Sequence, residues 1–450
     1  MRSRIADCPD GDYFSEGYIE SDGSNPEPLV VRLKLTIDGD SIQADFTGTS
    51  AQTNGPTNCG PAMAFNAVGT IVKAFLDPKT PINNGSFNPI SVTAPEKSFI
   101  NARETAPCGG MAEVKFLIDS VVAAAMGQVV PEMSVGDLKG GANHIHIAGP
   151  REGGGTYIHY EWPAGGTGAS AGVDGSNAVR SYNEGDFNSI QSAETVESQY
   201  PLRVERCEVR NGGCGDGAFR GGFGLRRDIK VLDETAMLSV LSEKNVIPPY
   251  GVAGGNNGAA NRFVVVRNGK LIQPSDVPGK VSGFGLQAGD LVREETAGGG
   301  GFGDPLNRDP ALVAEDVRLD YLTAEQAEAR YGVVFESGGG VDAASTSARR
   351  LSLASARVTA TLEASNEDDI DGSRRRISVP RAMASDLCIV DGDLVELRGN
   401  AIAPLRGWAR VVDVANNIIS LGPTGMRLLD ADHGDQLEIR TVQTAPEGVV

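Results

Sequence analysis

Leu29, Val31, Leu33, Leu35 and Ile37 alternate along the chain, and this period of two predicts a half-buried strand. Asp38-Gly39 supplies the backbone conformation of a tight turn, and Ile42, Ala44 and Phe46 resume the alternation, so the segment forms a hairpin. Spacings of three and four take over in "AFNAVGTIVKAFL" (64–76) and "AEVKFLIDSVVAAAM" (112–126), which predict amphipathic helices. Pro61 precedes the first, while Gly127 and Pro131 close the second. Alternation returns in "HIHIAG" (144–149), "TYIHYEW" (156–162) and "FVVVRNGKLIQ" (263–273), the last a hairpin with Asn268-Gly269 at its tip. Asp309-Pro310 then caps one short helix, and Thr323 with Gln326 forms a capping box for another that Gly332 stops.

These elements predict an α+β main body over residues 1–335, rich in strands and glycine, with a few amphipathic helices. Residues 336–355 read as a linker by composition. Residues 356–450 contain an internal repeat, because "ISVPRAMASDLCIVDGDLVELR" (377–398) aligns without gaps on "ISLGPTGMRLLDADHGDQLEIR" (419–440). Leu387 falls on Leu429, Gly392-Asp393 on Gly434-Asp435, Glu396 on Glu438 and Arg398 on Arg440. Two such units predict a small pseudo-twofold β-barrel that resembles double-psi barrels.

Composition narrows the partners. The 450 residues carry a net charge of -19, which disfavours nucleic acid and anionic membrane surfaces. No apolar run approaches the ~18 residues of a membrane span, and no secretory signal follows the first basic residues, so a soluble cytoplasmic protein is expected. The six cysteines show no metal-like spacing and read as idle thiols. Glycine stands out, with 58 residues, about twice the ~7% of ordinary proteins.

The densest glycine stretch, "TAGGGGFGDPLNRDP" (296–310), formally satisfies the dinucleotide spacing at Gly298, Gly300 and Gly303. A phosphate loop, however, needs a helix starting directly on it, and Asp304-Pro305 intervenes. A structural turn is the better reading. "NGGCGDGAFRGGFGLRR" (211–227) offers Arg220, Arg226 and Arg227 beside flexible backbone, a chemistry suited to clamping carboxylate or phosphate. If "HIHIAG" pairs with "TYIHYEW" so that His146 opposes His159 and His144 opposes Glu161, three imidazoles and a carboxylate share one face; packing roles are the plainer reading, and no metal site is assigned. Asp45, Asp174, Glu194 and Glu197 lie near glycine turns and are candidate general acids or bases.

Seven motifs in order, "DFTGTSAQTNGPTN" (45–58), "NNGSFNPISVTAPE" (83–96), "GGTGASAGVDG" (165–175), "YPLRVER" (200–206), "GGCGDGAFRGGFGLRR" (212–227), "PPYGVAGGNNG" (248–258) and the closing glycine run, resemble the hydantoinase B/5-oxoprolinase family, which also holds acetone and acetophenone carboxylase subunits. The resemblance implies a subunit of an ATP-dependent hydrolase of cyclic amides, with ATP and Mg bound by a hydantoinase A-like partner and a small molecule as substrate. The alternatives are a ketone carboxylase subunit and a non-catalytic assembly subunit. Asp45, Asn58, Asp174, Glu194 and Glu197 are the pocket candidates, with Arg220 and Arg226 for substrate or phosphate. Family members carry a long region ahead of the equivalent of Met1, where the carboxylase branch places its metal ligands. A truncated product, or a further chain supplying that region, is therefore expected.

Overall fold

The computed structural model describes residues 1–151, 153–179, 190–414 and 417–442. The opening hairpin forms as its alternation dictates, with Ile37 opposite Ile42 and Asp38 opposite Ser41 across the turn. Gly11–Ile19, Leu29–Asp38, Ser41–Asp45 and Ile90–Thr93 make a four-stranded sheet. Helices Pro61–Leu76 and Met111–Val129 pack on it around Leu33, Leu35, Phe46, Val68, Ile71, Ile118 and Val122. The second helix is buried on nearly every side rather than on one stripe. On one side of it, Leu117, Val121 and Ala124 line a cavity together with Ala403, Pro404 and Leu405 of the C-terminal domain.

Two further sheets form a sandwich. One runs Lys270–Ile272, Arg262–Arg267, Leu291–Glu295, Leu225–Val231, Leu202–Val209; the other runs Lys280–Gln287, Thr235–Leu241, His144–Pro150, Thr156–Glu161. Ile145, Ile147, Ile229, Leu238, Phe263 and Val292 fill the space between them. The predicted helical tail is present: Asp309 caps Pro310–Arg318, Thr323 and Gln326 form the reciprocal box of Ala324–Tyr331, and Gly332 ends it with φ 64°. Within the stretch read as a linker, Ala343–Ser355 is a helix capped by Asp342.

The glycine excess builds a core without side chains. Thr296 and Gly299 donate N–H bonds to the Leu225 and Gly222 carbonyls at 2.8 and 2.9 Å, Gly300 donates to Asp137 at 2.8 Å, and Gly301 to Asn256 at 3.0 Å. In return Gly166 and Ala169 donate to the Ala297 and Gly300 carbonyls, both at 2.9 Å. Positions three apart therefore face the same neighbouring segment. That is the three-residue turn of a polyproline II-type helix, which has no internal hydrogen bonds and must find partners outside itself. None of Gly298 to Gly301 has a left-handed φ. They are glycines because of crowding: a Cβ on Gly299 would lie 1.8 Å from the Thr167 carbonyl oxygen, and one on Gly300 would lie 1.8 Å from that of Tyr250.

The C-terminal domain has the crossed pairing that its repeat predicts. Thr359–Ala364 runs parallel to Ile418–Leu421, and Arg374–Pro380 runs parallel to Leu405–Val412. Leu394–Arg398 and Gln436–Thr441, the equivalent third strands, pair antiparallel at the centre. This is double-psi connectivity, with the hydrogen-bonded ladder left unclosed among the described residues. The repeat-related Gly392 and Gly434 both need the left-handed region, at φ 91° and 97°. The repeat-related arginines hold the main body: Arg440 donates to Asn256 Oδ1 at 2.5 Å and Arg398 donates to the Gly255 carbonyl, joined by Arg406, which donates to the Pro248 carbonyl at 2.6 Å.

Candidate active site

Helix Met111–Val129 begins at Gly110, where a Cβ would press on Leu241 at 3.2 Å and on the Pro56 carbonyl oxygen at 3.3 Å. Lys115 and Asp119 pair along this helix at 2.8 Å, which leaves Glu113 in the first turn without a helical partner. Its carboxylate instead accepts N–H bonds from Ala142 at 2.7 Å and Asn143 at 3.3 Å, in the loop that enters strand His144–Pro150. Gly141 is required there, since a Cβ would fall 1.9 Å from Glu113 Oε2. Beyond Glu113 the acids continue inward. Glu243 pairs with Lys280 and accepts the Glu20 N–H at 3.0 Å, and the Glu20 carboxylate accepts from the backbone of Asn245, Val246 and Ile247.

Burial raises Glu113 to about 7, with Lys280 pulling it down and Glu243 pushing it up. Glu20 is likewise raised to about 7 by burial and then by Glu243, against three stabilising N–H bonds. Strained backbone collects at the same place, because Asn143 and Lys244 are buried, lack a glycine's freedom, and sit at φ 56° and 60°. The cluster reaches the surface through His144, whose Nε2 lies 3.8 Å from Glu113 Oε1 and whose Nδ1 meets the Tyr160 hydroxyl at 2.5 Å. Trp162 donates to the same hydroxyl. A carboxyl that burial holds well above the usual carboxylate range, beside a partly exposed imidazole, can take and return a proton.

The histidine register expected from sequence is corrected. Ile145 opposes Glu161, His146 opposes Tyr160, and Ile147 opposes His159, a shift of one residue. Because side chains alternate, the slip sends His144 and His146 to the outer face and His159 and Glu161 to the buried inner face. His146 stacks on Tyr160 with ring centroids 4.3 Å apart, while His159 lies 3.3 Å from Glu161, which Arg227 also holds at 3.0 Å. Among the described residues no group of three or more His, Cys, Asp or Glu is placed to hold a metal ion.

The structure joins two of the residues proposed from sequence. Asp174 accepts the Arg220 N–H at 2.9 Å and forms a two-pronged pair with Arg308 at 2.8 Å on each side, while Arg220 is tied to Asp316 at 3.1 Å and lies over Phe223. Asn58 is wholly buried and staples its loop, donating to the carbonyls of Thr53, Gly55 and Pro107. Asp45 caps Thr47 in a turn. Glu194 is exposed in the first turn of helix Ala193–Gln199, where exposed Glu197 binds the Val204 N–H at 3.0 Å. Arg226 pairs with Asp228 on an outer sheet face. Glu113, Glu243 and Lys280 escaped the sequence reading. The signal was the one charge of that apolar helix left over once Lys115 and Asp119 are paired.

The glycine run does not fit a nucleotide. The N–H groups of Gly299, Gly300, Gly301, Phe302 and Gly303 are all spent on backbone carbonyls, so none remains for a phosphate. The loop is structural, but as extended backbone packed into the core rather than as the turn expected from sequence.

The family model described as hydantoinase B/oxoprolinase matches residues 1–305. The chain belongs to this family. An uncharacterised protein of Methanocaldococcus jannaschii is 32% identical over 68% of this chain and 52% of its own length. A putative D-/L-hydantoinase component from a Pseudomonas strain is 28% identical over 76% of this chain and 59% of its own. Among solved structures, the ATP-dependent caprolactamase of Pseudomonas jessenii superposes with a TM-score of 0.67 at 24% identity, over 78% of this chain and 61% of that one. Acetone carboxylase gives 0.67 at 20% identity, over 79% and 54%. The chain thus spans between half and about three fifths of the length of these relatives. No helix among the described residues is long and apolar enough to cross a membrane.

Proposed function

We propose that the chain is the subunit of an ATP-dependent cyclic amide hydrolase that receives the activated amide, while a companion binds ATP. One observation carries the reading: Glu113 is a buried carboxyl, pushed up to about 7 by burial, that lies 3.8 Å from the partly exposed His144, within a body of this family. With the amide oxygen phosphorylated from the companion's ATP, water adds to that carbon and the C–N bond breaks, so one proton leaves the water and one reaches the ring nitrogen, and a second water then frees phosphate from the acyl phosphate. Glu113 accepts the first and returns it to the nitrogen, and His144 carries protons between the carboxyl and the outer face of the sheet. The fully engaged N–H groups of residues 299–303 support assigning ATP to another chain. The hydantoinase, oxoprolinase and caprolactamase names among the relatives favour hydrolysis over ketone carboxylation.

The test is the full complex, purified with its genomic neighbour and assayed on hydantoin, 5-oxoproline and caprolactam. Glu113→Gln is isosteric and keeps an amide oxygen to accept the Ala142 N–H. It is expected to lower kcat by about 10²- to 10⁴-fold with KM little changed, and to remove a kcat limb near pH 7. Full activity in Glu113→Gln would contradict the assignment. Bicarbonate-dependent ATP turnover with a ketone, and none with the amides, would overturn the hydrolase reading.

A further inference from the structure

The outer face of the five-stranded sheet carries a charge lattice with a surplus at one end. Across four neighbouring strands, Arg262, Glu295, Arg226 and Glu208 stand in one row, each opposite the next. The following row places Arg293 and Arg206 on either side of Asp228. Most of these charges neutralise one another: Arg206 with Glu208 at 2.8 Å, Arg226 with Asp228 at 3.0 Å, Arg293 with Asp228 at 3.1 Å, Arg262 with Glu295 at 3.5 Å.

Arg210 breaks the pattern. One of its terminal nitrogens donates to the carbonyls of Ala260 at 2.6 Å and Thr296 at 3.0 Å, and no carboxylate lies within ion-pair distance of it among the described residues. It borders a groove of about 630 Å³ lined by Arg206, Arg210, Arg226 and Arg262 against two acids, Glu208 and Glu295, and by Gly212 and Gly213, which add no side chains. The volume suits a small-molecule ligand. A concave site holding four guanidinium groups and two carboxylates, on a molecule of net charge -19, is a local positive well. Guanidinium forks match the paired oxygens of an oxyanion.

We infer that this groove binds a small oxyanion, a carboxylate or a phosphate, with Arg210 as its uncompensated charge and Arg206 and Arg262 closing over the ligand. The inference stands apart from the hydrolase reading, since it requires no companion and no turnover. The test is calorimetric titration of the full chain with inorganic phosphate and, separately, with acetate, at constant ionic strength set by chloride. Saturable binding with a Kd of roughly 1 mM or tighter is expected for one of them, and the tighter of the two names the ligand's chemistry. The double variant Arg206→Gln, Arg262→Gln leaves the carbonyl contacts of Arg210 intact, so it should fold, and it is expected to weaken binding at least about tenfold. Arg381→Gln, an exposed residue paired with Asp413 and outside the groove lining, should leave binding unchanged. Absence of saturable binding for both anions, or equal affinity in the double variant, would overturn the inference.

Discussion

Gly299→Ala is expected to abolish the fold. The new Cβ would sit 1.8 Å from the Thr167 carbonyl oxygen and 2.1 Å from its carbon, distances that real Cβ atoms do not show. The obstruction is backbone, so no rotamer relieves it. Thr167 cannot retreat, because its carbonyl accepts the Gly222 N–H at 2.8 Å, and Gly222 in turn accepts from Gly299 at 2.9 Å. Moving one segment breaks bonds in two others. The cost exceeds about 5 kcal/mol, which is comparable with the whole stability of an ordinary domain. Gly285→Ala is the matched control, since Gly285 is an exposed strand glycine with nothing within 4 Å of its Cβ position and no left-handed φ. It should be neutral or gain about 0.5 kcal/mol. Circular dichroism and thermal melting of the two variants make the comparison. A folded Gly299→Ala protein with an unchanged melting point would show that the segment is not packed as described.

The second large effect is expected from Glu396→Ala. Glu396 is buried and touches three arginines: Arg440 at 2.7 Å, Arg406 at 3.2 Å and Arg398 at 3.7 Å. Those arginines are the ones that grip the main-body loop at Pro248, Gly255 and Asn256. Removing the carboxylate leaves buried Arg406 without an acid and Arg398 and Arg440 sharing Glu438 alone, a loss of about 3 kcal/mol. Burial by itself would raise the Glu396 carboxyl, but Arg440, Arg406 and Arg398 together hold it down at about 2. The sign follows directly. A carboxyl whose folded pKa is depressed contributes stability above its ordinary value of 4.5, and that contribution is lost as pH falls from 4.5 towards 2. In Glu396→Ala this acid-labile component should vanish, and amide exchange across residues 251–258 should accelerate at neutral pH. Unchanged exchange there would show that the arginines do not depend on Glu396.

Much of the local structure was legible because local chemistry decides it. Asp38-Gly39 and Asn268-Gly269 turn their hairpins as expected, with Arg267 opposite Lys270 in the second. Thr323, Gln326 and Gly332 cap as their side chains require. The repeat was visible too, and two of its matched positions, Arg398 and Arg440, turned out to be docking residues. What was hidden depends on long-range partners. Glycines 298–301 announce that side chains are forbidden, but only the fold shows that Thr167, Tyr250, Gly213 and Asp216 take up the room. The histidine strands alternate equally well in either register, so their pattern could not exclude the one-residue slip. Glu113 has the position of an ordinary first-turn acid, and nothing nearby in sequence reveals the loop of Ala142 and Asn143 that buries it. Asp174 and Arg220, by contrast, were each singled out, and their meeting with Arg308 and Asp316 was not.

Whether the glycine run is packed core or an open cradle for phosphate can be read amide by amide. Hydrogen exchange of Gly299, Gly300, Gly301 and Gly303 in the isolated chain should be among the slowest in the molecule, opening only with global unfolding, and saturating ATP with magnesium should leave it unaltered. Rapid exchange at these four amides that becomes slow only when ATP is added would contradict the account.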